Sequence, residues 1–344
     1  MREPRFWYPD RGAGIGLMPR LLAPIAMIYR FASANRQRLA RPERCAVPVI
    51  CIGNVTAGGA GKTPVALFIG RALQARGEVV HFLSRGYGGT ERGPLRVDPA
   101  VQAAEQVGDE PILLSALAPT WVAADRPEGA AAAVRGGASI IVMDDGLQNP
   151  HLAKDFSILV IDAGVGVGNG RLIPAGPLRE PIDKALAKTS AVIAIGRGHA
   201  ADGLAARAAA RGIPVFKAAL RPLPAPELDS MRVVAFAGIG RPEKFFRTLR
   251  EMRVDIIQTI AFPDHHAFTD KDAIDLMIKA REQDAHLITT QKDAARLLHA
   301  PQGSARAQLA EALHVLPIEL VISDFATLQN LMADAIRLAR KKPR

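Results

Sequence analysis

Residues 53–63 read Gly-Asn-Val-Thr-Ala-Gly-Gly-Ala-Gly-Lys-Thr, directly after the apolar run Val47-Pro48-Val49-Ile50-Cys51-Ile52. This order asks for a strand, a glycine-rich turn and a helix that opens on Gly61-Lys62-Thr63. Glycines let backbone N–H groups turn inward onto phosphate oxygens, and the helix start adds its positive end. In such a loop Lys62 reaches the β- and γ-phosphates of a nucleoside triphosphate and Thr63 holds Mg²⁺. Thr56, Ala57, Gly58, Gly59, Ala60 and Gly61 form the cradle. The motif normally opens with glycine where Thr56 stands. A plain glycine turn is the alternative, but the strand–loop–helix setting is the one that nucleotide binding requires.

From residue 47 onward, short apolar runs alternate with amphipathic stretches. Residues 79–83, 121–124, 140–143 and 158–161 are predicted strands; 64–76, 111–118 and 127–135 are predicted helices. Alternation of this kind predicts an α/β fold of the P-loop NTPase type: a mostly parallel sheet with helices on both faces and ligands at the strands' carboxyl ends. Residues 213–230 hold Pro214, Pro222, Pro224 and Pro226 and read as a linker. Beyond it, strands at 233–236, 255–260 and 287–290 and helices at 243–252, 270–283 and 325–340 make a second, smaller α/β unit. The expected division is a basic amino-terminal segment over 1–45, a P-loop domain over 46–222 and a smaller α/β domain over 223–344.

Composition narrows the class. With 344 residues, 49% hydrophobic and 23% charged, the chain can bury a large core and is not a disordered polyelectrolyte. Cys45 and Cys51 lack metal-ligand spacing and read as buried thiols of a reducing compartment. The net charge of +10 is concentrated early: residues 1–44 carry nine arginines against three acids. Between Arg20 and Arg30 lies an uncharged run of nine residues, far short of the about 20 that span a bilayer. A basic, apolar-faced segment of this kind suits a membrane surface, or else packs on the domain. No nucleic-acid motif accompanies the charge, and nothing points to a protein partner. The final Arg340-Lys341-Lys342-Pro343-Arg344 reads as a solvated tail, or else as a second membrane contact.

Several short motifs carry chemistry. Residues 139–145 form an apolar strand ending in Asp144-Asp145, placed to complete a Mg²⁺ shell with Thr63. Gly108-Asp109-Glu110-Pro111 opens a helix, with Asp109 either its cap or a carboxylate that takes a proton from an attacking hydroxyl. Pro263-Asp264-His265-His266 follows a strand, and adjacent histidines there point opposite ways, so one can assist a carboxylate. Ser84-Arg85-Gly86-Tyr87 offers a cation among glycines. Pro177-Leu178-Arg179-Glu180-Pro181 offers a phosphate-binding Arg and a metal- or nucleotide-binding Glu, or else a turn with a surface ion pair.

Gly-Asn-x-x-x-Gly-Gly-x-Gly-Lys-Thr, Ser-Arg-Gly-Tyr, Gly-Asp-Glu-Pro, Asp-Asp-Gly-Leu-Gln, Leu-Arg-Glu-Pro and Phe-Pro-Asp-His occur in that order. Together, over about residues 15–325, they resemble the tetraacyldisaccharide 4'-kinases of Gram-negative bacteria. The resemblance implies transfer of the ATP γ-phosphoryl group to the 4'-hydroxyl of a lipid A disaccharide precursor. It also implies a peripheral enzyme on the cytoplasmic face of the inner membrane. By motif, Lys62 and Thr63 are implied as phosphate and Mg²⁺ ligands, with Asp144 and Asp145 as further metal ligands. Asp109 is the implied general base with His265 its helper. Gln148 and Glu180 are implied near the nucleotide, and Arg85, Arg126 and Arg179 at the substrate. One departure is Asn149, where the family usually has His. Two other classes compete: a membrane-associated P-loop ATPase switch, which would need neither Asp109 nor His265, and a soluble small-molecule kinase.

Overall fold

Strand formation follows the apolar runs. In the computed structural model, which describes residues 4–9 and 16–342, thirteen strands form two sheets. The first nine-stranded sheet holds β1 (Val49–Gly53), β2 (Val80–Ser84), β3 (Leu95–Arg96), β4 (Thr120–Val122), β5 (Ile140–Asp144), β6 (Phe156–Asp162), β7 (Ala191–Ile195) and β8 (Val215–Pro222). The second, four-stranded sheet holds β9 (Arg232–Ala237), β10 (Asp255–Ala261), β11 (His286–Thr290) and β12 (Leu313–Leu316). The chain then returns to the first sheet with β13 (Ile318–Ile322).

The first sheet runs β13-β8-β7-β6-β1-β5-β2-β4-β3. Its interior pairs are parallel, and only the edge strands β3 and β13 run antiparallel. β1 lies between β5 and β6, so the loop after it emerges where the connections diverge to the two sides, the usual place for a ligand. Side chains alternate across the pleat. Ile50 and Ile52 face one layer with the helices Lys62–Gln74 and Phe325–Lys341. Val49 and Cys51 face the other, with Arg126–Arg135, Ile182–Leu186 and Asp202–Ala209. Cys51 is fully buried, as its position in the first strand predicts.

The second sheet, β10-β9-β11-β12, is parallel throughout. Phe245, Phe246 and Leu249 cover one face and Leu276, Ala280 and Leu309 the other.

Two expectations need correction. The proline-rich stretch 213–230 is not a linker along its whole length, because residues 215–222 form β8, paired with β7 and β13. Pro214 precedes the strand and Pro222 ends it, where a missing N–H costs the ladder little. The unit expected over 223–344 also gives up its last part. β13 and the helix Phe325–Lys341 belong to the first sheet, with Leu328, Met332 and Ile336 buried in its core.

The amino-terminal segment forms the helices Leu17–Leu21 and Ala23–Leu39. They do not pack as an ordinary surface helix does. Pro19 and Ala26 are buried, while Leu17, Leu21, Ile25, Met27, Ile28 and Phe31 are exposed. No helix among the described residues is long and apolar enough to cross a membrane. Arg2, Glu3, Asp10, Arg11 and the last two residues of the basic tail lie outside the described residues.

Candidate active site

The loop after β1 is built for close approach. A side chain at Gly53 would collide with Leu147, its Cβ only 2.4 Å from that of the leucine. Gly61 sits at φ 85, a left-handed conformation that favours glycine, and the next residue starts the helix Lys62–Gln74. Thr56 is not left-handed. It forms an antiparallel bridge to Leu178, so glycine is not required there. The 177–180 stretch clamps this loop: Ala57 donates its backbone N–H to the Pro177 carbonyl (2.7 Å) and Arg179 donates to that of Val55 (2.7 Å).

Around this loop stand the acids and amides expected from the sequence. Thr63 Oγ1 donates to Asp144 Oδ2 at 3.4 Å. Asp144 ends β5 fully inside the protein, and burial pushes its carboxyl up to about 7 despite Lys62 nearby. Its Oδ1 is buried with no hydrogen-bond partner. Asp145, at φ 53, turns the other way and meets both Arg179 Nη1 (2.9 Å) and Lys62 Nζ (3.7 Å). Burial alone would raise its carboxyl, but Lys62 and Arg179 outweigh that and hold it at about 2. Gln148 donates to the Asn54 carbonyl (2.8 Å) and to Glu180 Oε1 (2.9 Å). Glu180 also pairs with Lys188 at 2.8 Å. Arg179 and Glu180 thus do not pair with each other as a surface turn would have them do.

The second unit closes over this loop. A Cβ at Gly240 would stand 3.6 Å from the Gly59 amide. The carboxyl end of β10 brings the 263–266 turn to the first unit, and His265 Nδ1 lies 3.2 Å from Asp109 Oδ1. Asp109 is not the helix cap. Gly108 holds that position, and the buried Asp109 carboxylate points to the second unit instead. His266 faces away and meets Asp272 of its own unit at 3.0 Å. The ring of Tyr87, two residues after Arg85, meets that of His265 in a T-shaped contact.

Sequence reasoning missed two further contacts. Arg296 binds Asp109 Oδ2 through Nη2 (2.5 Å) and Nε (3.2 Å), and Lys292 pairs with Glu110. The apolar run ending at Thr289-Thr290, followed by Gln-Lys-Asp, was legible as a strand leading into a capped helix, but its cations gave no hint of their partners. Burial raises the Asp109 carboxyl, yet His265, Lys292 and Arg296 together hold it well below the usual carboxylate range. The hydrogen bond to Asp109 raises the His265 imidazole above its ordinary value.

Arg126 is buried beside this region, donating Nη1 to the Ala123 carbonyl with its Nε unpartnered. Burial and the neighbouring charge of the exposed Arg85 lower its guanidinium to about 10. Asn149 is spoken for: its Oδ1 accepts from the backbone N–H groups of His151 and Leu152.

Among the described residues, two arrangements could hold a cation. The orphaned Asp144 oxygen with Thr63 Oγ1 offers hard oxygen donors suited to Mg²⁺. Asp109, Glu110 and His265 also bring ligand atoms within 4.8 Å of one another, but Lys292 and Arg296 already neutralise the two carboxylates.

Comparison with known proteins gives the family and the fold. A family model described as "LpxK: Tetraacyldisaccharide-1-P 4'-kinase" matches residues 18–337. The tetraacyldisaccharide 4'-kinase of Parvibaculum lavamentivorans is 61% identical over 342 residues, spanning 99% of this chain and 100% of that one. The protein of the same name from Rhodospirillum centenum is 47% identical over 337 residues, spanning 97% and 96%. Among solved structures, the LpxK of Aquifex aeolicus, crystallised in complex with ATP, superposes with a TM-score of 0.72 at 23% identity, over 93% of this chain and 100% of that one. That likeness establishes a shared fold. On the family match and the full-length relatives, this chain belongs to the tetraacyldisaccharide-1-phosphate 4'-kinase family.

Proposed function

We propose that this chain transfers the γ-phosphoryl group of ATP to the 4'-hydroxyl of a tetraacylated disaccharide 1-phosphate, the lipid A precursor, working as a peripheral enzyme on the cytoplasmic face of the inner membrane. The observation that carries the reading is the meeting of Asp109 with His265 from the second unit, beside the glycine loop and the Thr63–Asp144 pair. A switch ATPase would have no use for that pair.

The amides of residues 58–61 and Lys62 bind the triphosphate, while the Ala57 amide is held by the Pro177 carbonyl and Gln148 and Glu180 brace the loop. Thr63 and Asp144, with Asp145 beside them, would hold Mg²⁺, which neutralises charge on the transferring group when bound. Asp109 accepts the proton of the acceptor hydroxyl, and His265 orients that carboxylate. Arg179 and the buried, incompletely paired Arg126 supply positive charge for substrate phosphate, with Arg85 at the surface beside them. The exposed apolar face of the amino-terminal helices lies on the membrane where the acyl chains are anchored. Tyr29 ties those helices to the site, donating its hydroxyl to the Arg179 carbonyl at 3.1 Å.

The test is ATP turnover with and without an acylated glucosamine disaccharide 1-phosphate in vesicles. Turnover that depends on the acceptor, with phosphate appearing at its 4'-position, is expected. Acceptor-independent hydrolysis would identify a switch ATPase. Equal turnover on a water-soluble sugar with no lipid would identify a soluble small-molecule kinase.

A further inference from the structure

The stretch from Thr290 to Arg296 contributes a buried chain of polar contacts that ends on Asp109. Thr290 Oγ1 donates to Asp293 Oδ2 at 2.7 Å. The Gly238 backbone N–H donates to Asp293 Oδ1 at 3.1 Å. Arg296 Nη1 donates to that same oxygen and to the Gly238 carbonyl, both at 2.7 Å. Its Nη2 and Nε then reach Asp109 Oδ2. Asp293 is fully buried, and the side chains of Arg296 and Asp109 are 6% and 5% exposed. A guanidinium anchored at one end and forked onto a single oxygen at the other fixes a carboxylate in rotation as well as in position.

The two oxygens of Asp109 are therefore unequal. Among the described residues, Oδ2 takes two N–H groups from Arg296, while Oδ1 has only His265 Nδ1. A carboxylate oxygen has two acceptor sites, so Oδ1 keeps one for a further proton donor. We propose that Arg296 is a positioning residue for the phosphoryl transfer: by occupying Asp109 Oδ2 it makes Oδ1 the atom that receives the acceptor's proton. This rests on the reading of Asp109 as the general base. In that step the acceptor oxygen forms its bond to the γ-phosphorus as its O–H bond breaks. The proton passes to Oδ1, and the bond from phosphorus to the bridging oxygen breaks with its electron pair leaving on ADP.

The titratable and charged groups around Asp109 are Glu110 on its own helix, Asp264 and His265 of the 263–266 turn, and Lys292, Asp293 and Arg296. Of these, Arg296 alone is forked onto the carboxylate.

The experiment uses the full-length protein with ATP and the acylated disaccharide acceptor in vesicles. Arg296→Met is expected to lower kcat by about 10- to 100-fold with little change in the KM for ATP. A buried carboxylate that loses its cation is easier to protonate, so the acid limb of kcat/KM set by Asp109, below the usual carboxylate range in the wild type, should move up towards the assayable range. In an Asp109→Asn background the same change should cost less than about twofold, since the two residues act as one unit. A merely structural ion pair would lower activity without moving the acid limb, and would do so in both backgrounds; that result overturns the assignment, as does near-normal kcat in Arg296→Met. Should Arg296→Met not fold, Arg296→Lys carries the test. It keeps the charge but not the fork, so the acid limb should stay in place while kcat falls about tenfold, and an unchanged kcat overturns the assignment. A wild-type chain that phosphorylates no acceptor overturns the kinase reading itself; an active wild type with an indifferent Arg296→Met overturns only the role of Arg296.

Discussion

At Asp109 two opposing effects set the charge state, and both are visible in its surroundings. Burial favours the neutral acid; His265, Lys292 and Arg296 favour the carboxylate and win. The consequence for stability has a definite sign. Asp109, depressed from 3.8, contributes stability above that pH and loses it as pH falls through its lowered value. His265, raised from 6.5, contributes fully below 6.5 and loses its share as pH rises through its raised value. The thermal penalty of His265→Gln should therefore be larger at pH 6 than at pH 9, and melts of both proteins at the two pH values check this. At pH 6 the loss of a charge-assisted hydrogen bond should amount to about 1.5–3 kcal/mol. Kinetically, Asp109→Asn should cost about 10² to 10⁴ in turnover. His265→Gln should cost less, and the double variant no more than Asp109→Asn alone. His266→Ala should be mild, because His266 is tied to Asp272. Additive losses at Asp109 and His265 would refute the pairing. Asp144 poses the opposite case, a buried carboxylate with an unpaired oxygen. Asp144→Asn should abolish most turnover yet raise the melting temperature of Mg²⁺-free protein at pH 8 by a few degrees, as calorimetry would register.

The amino-terminal helices show how one element can serve two surfaces. Pro19 and Ala26 are buried, Ser33, Ala34 and Gln37 half-buried, and the last three border the 172–184 stretch with Arg179 and Glu180. Leu17, Leu21, Ile25 and Ile28, at spacings of four, four and three, are exposed together. An apolar stripe of this size facing water marks an interaction surface. Replacing Ile25 and Ile28 with Glu should weaken sedimentation with anionic vesicles by at least about tenfold, since each buried Ile contributes about 1.5–3 kcal/mol. The melting temperature should stay within about 1 °C, because neither side chain belongs to the core. Unchanged sedimentation would assign the stripe another role. The alternation of apolar runs made most strands and helices legible to within a few residues. β3, β7, β12 and β13 carried no such reading, and β8 was hidden because prolines at a strand's ends resemble a linker when read without its neighbours.

At the scale of the whole molecule, the chain leaves the first sheet after β8, builds the second unit and returns as β13. This ties the two units at two crossings and places the helix Phe325–Lys341 over the glycine-loop layer. A chain ending at residue 316 would lose Leu320, Ile322, Leu328, Met332 and Ile336 from that core. At about 1.5–3 kcal/mol for each large side chain, the loss rivals the whole stability of a domain. Such a chain should fail to give a cooperative thermal transition even though the glycine loop is intact. Cooperative melting with retained ATP binding would show that the return strand is dispensable.

The amino-acid sequence by itself determined the glycine loop, the strand that ends in Asp144-Asp145, the alternating α/β order and the basic amino terminus. Each depends on residues a few positions apart: a φ that glycine tolerates, a period of two or 3.6, a charge beside an apolar run. Spacing and periodicity did not decide which distant groups meet. The pairing of His265 with Asp109, 156 residues apart, was implied only by family resemblance, and that of Arg296, 187 residues away, by nothing before the tertiary structure. Arg179 turns to Asp145 and leaves Glu180 to Gln148 and Lys188. Local rules cannot choose among such partners, because a charge buried at the junction of two sheets takes whichever opposite charge the closing of those sheets brings within hydrogen-bond reach.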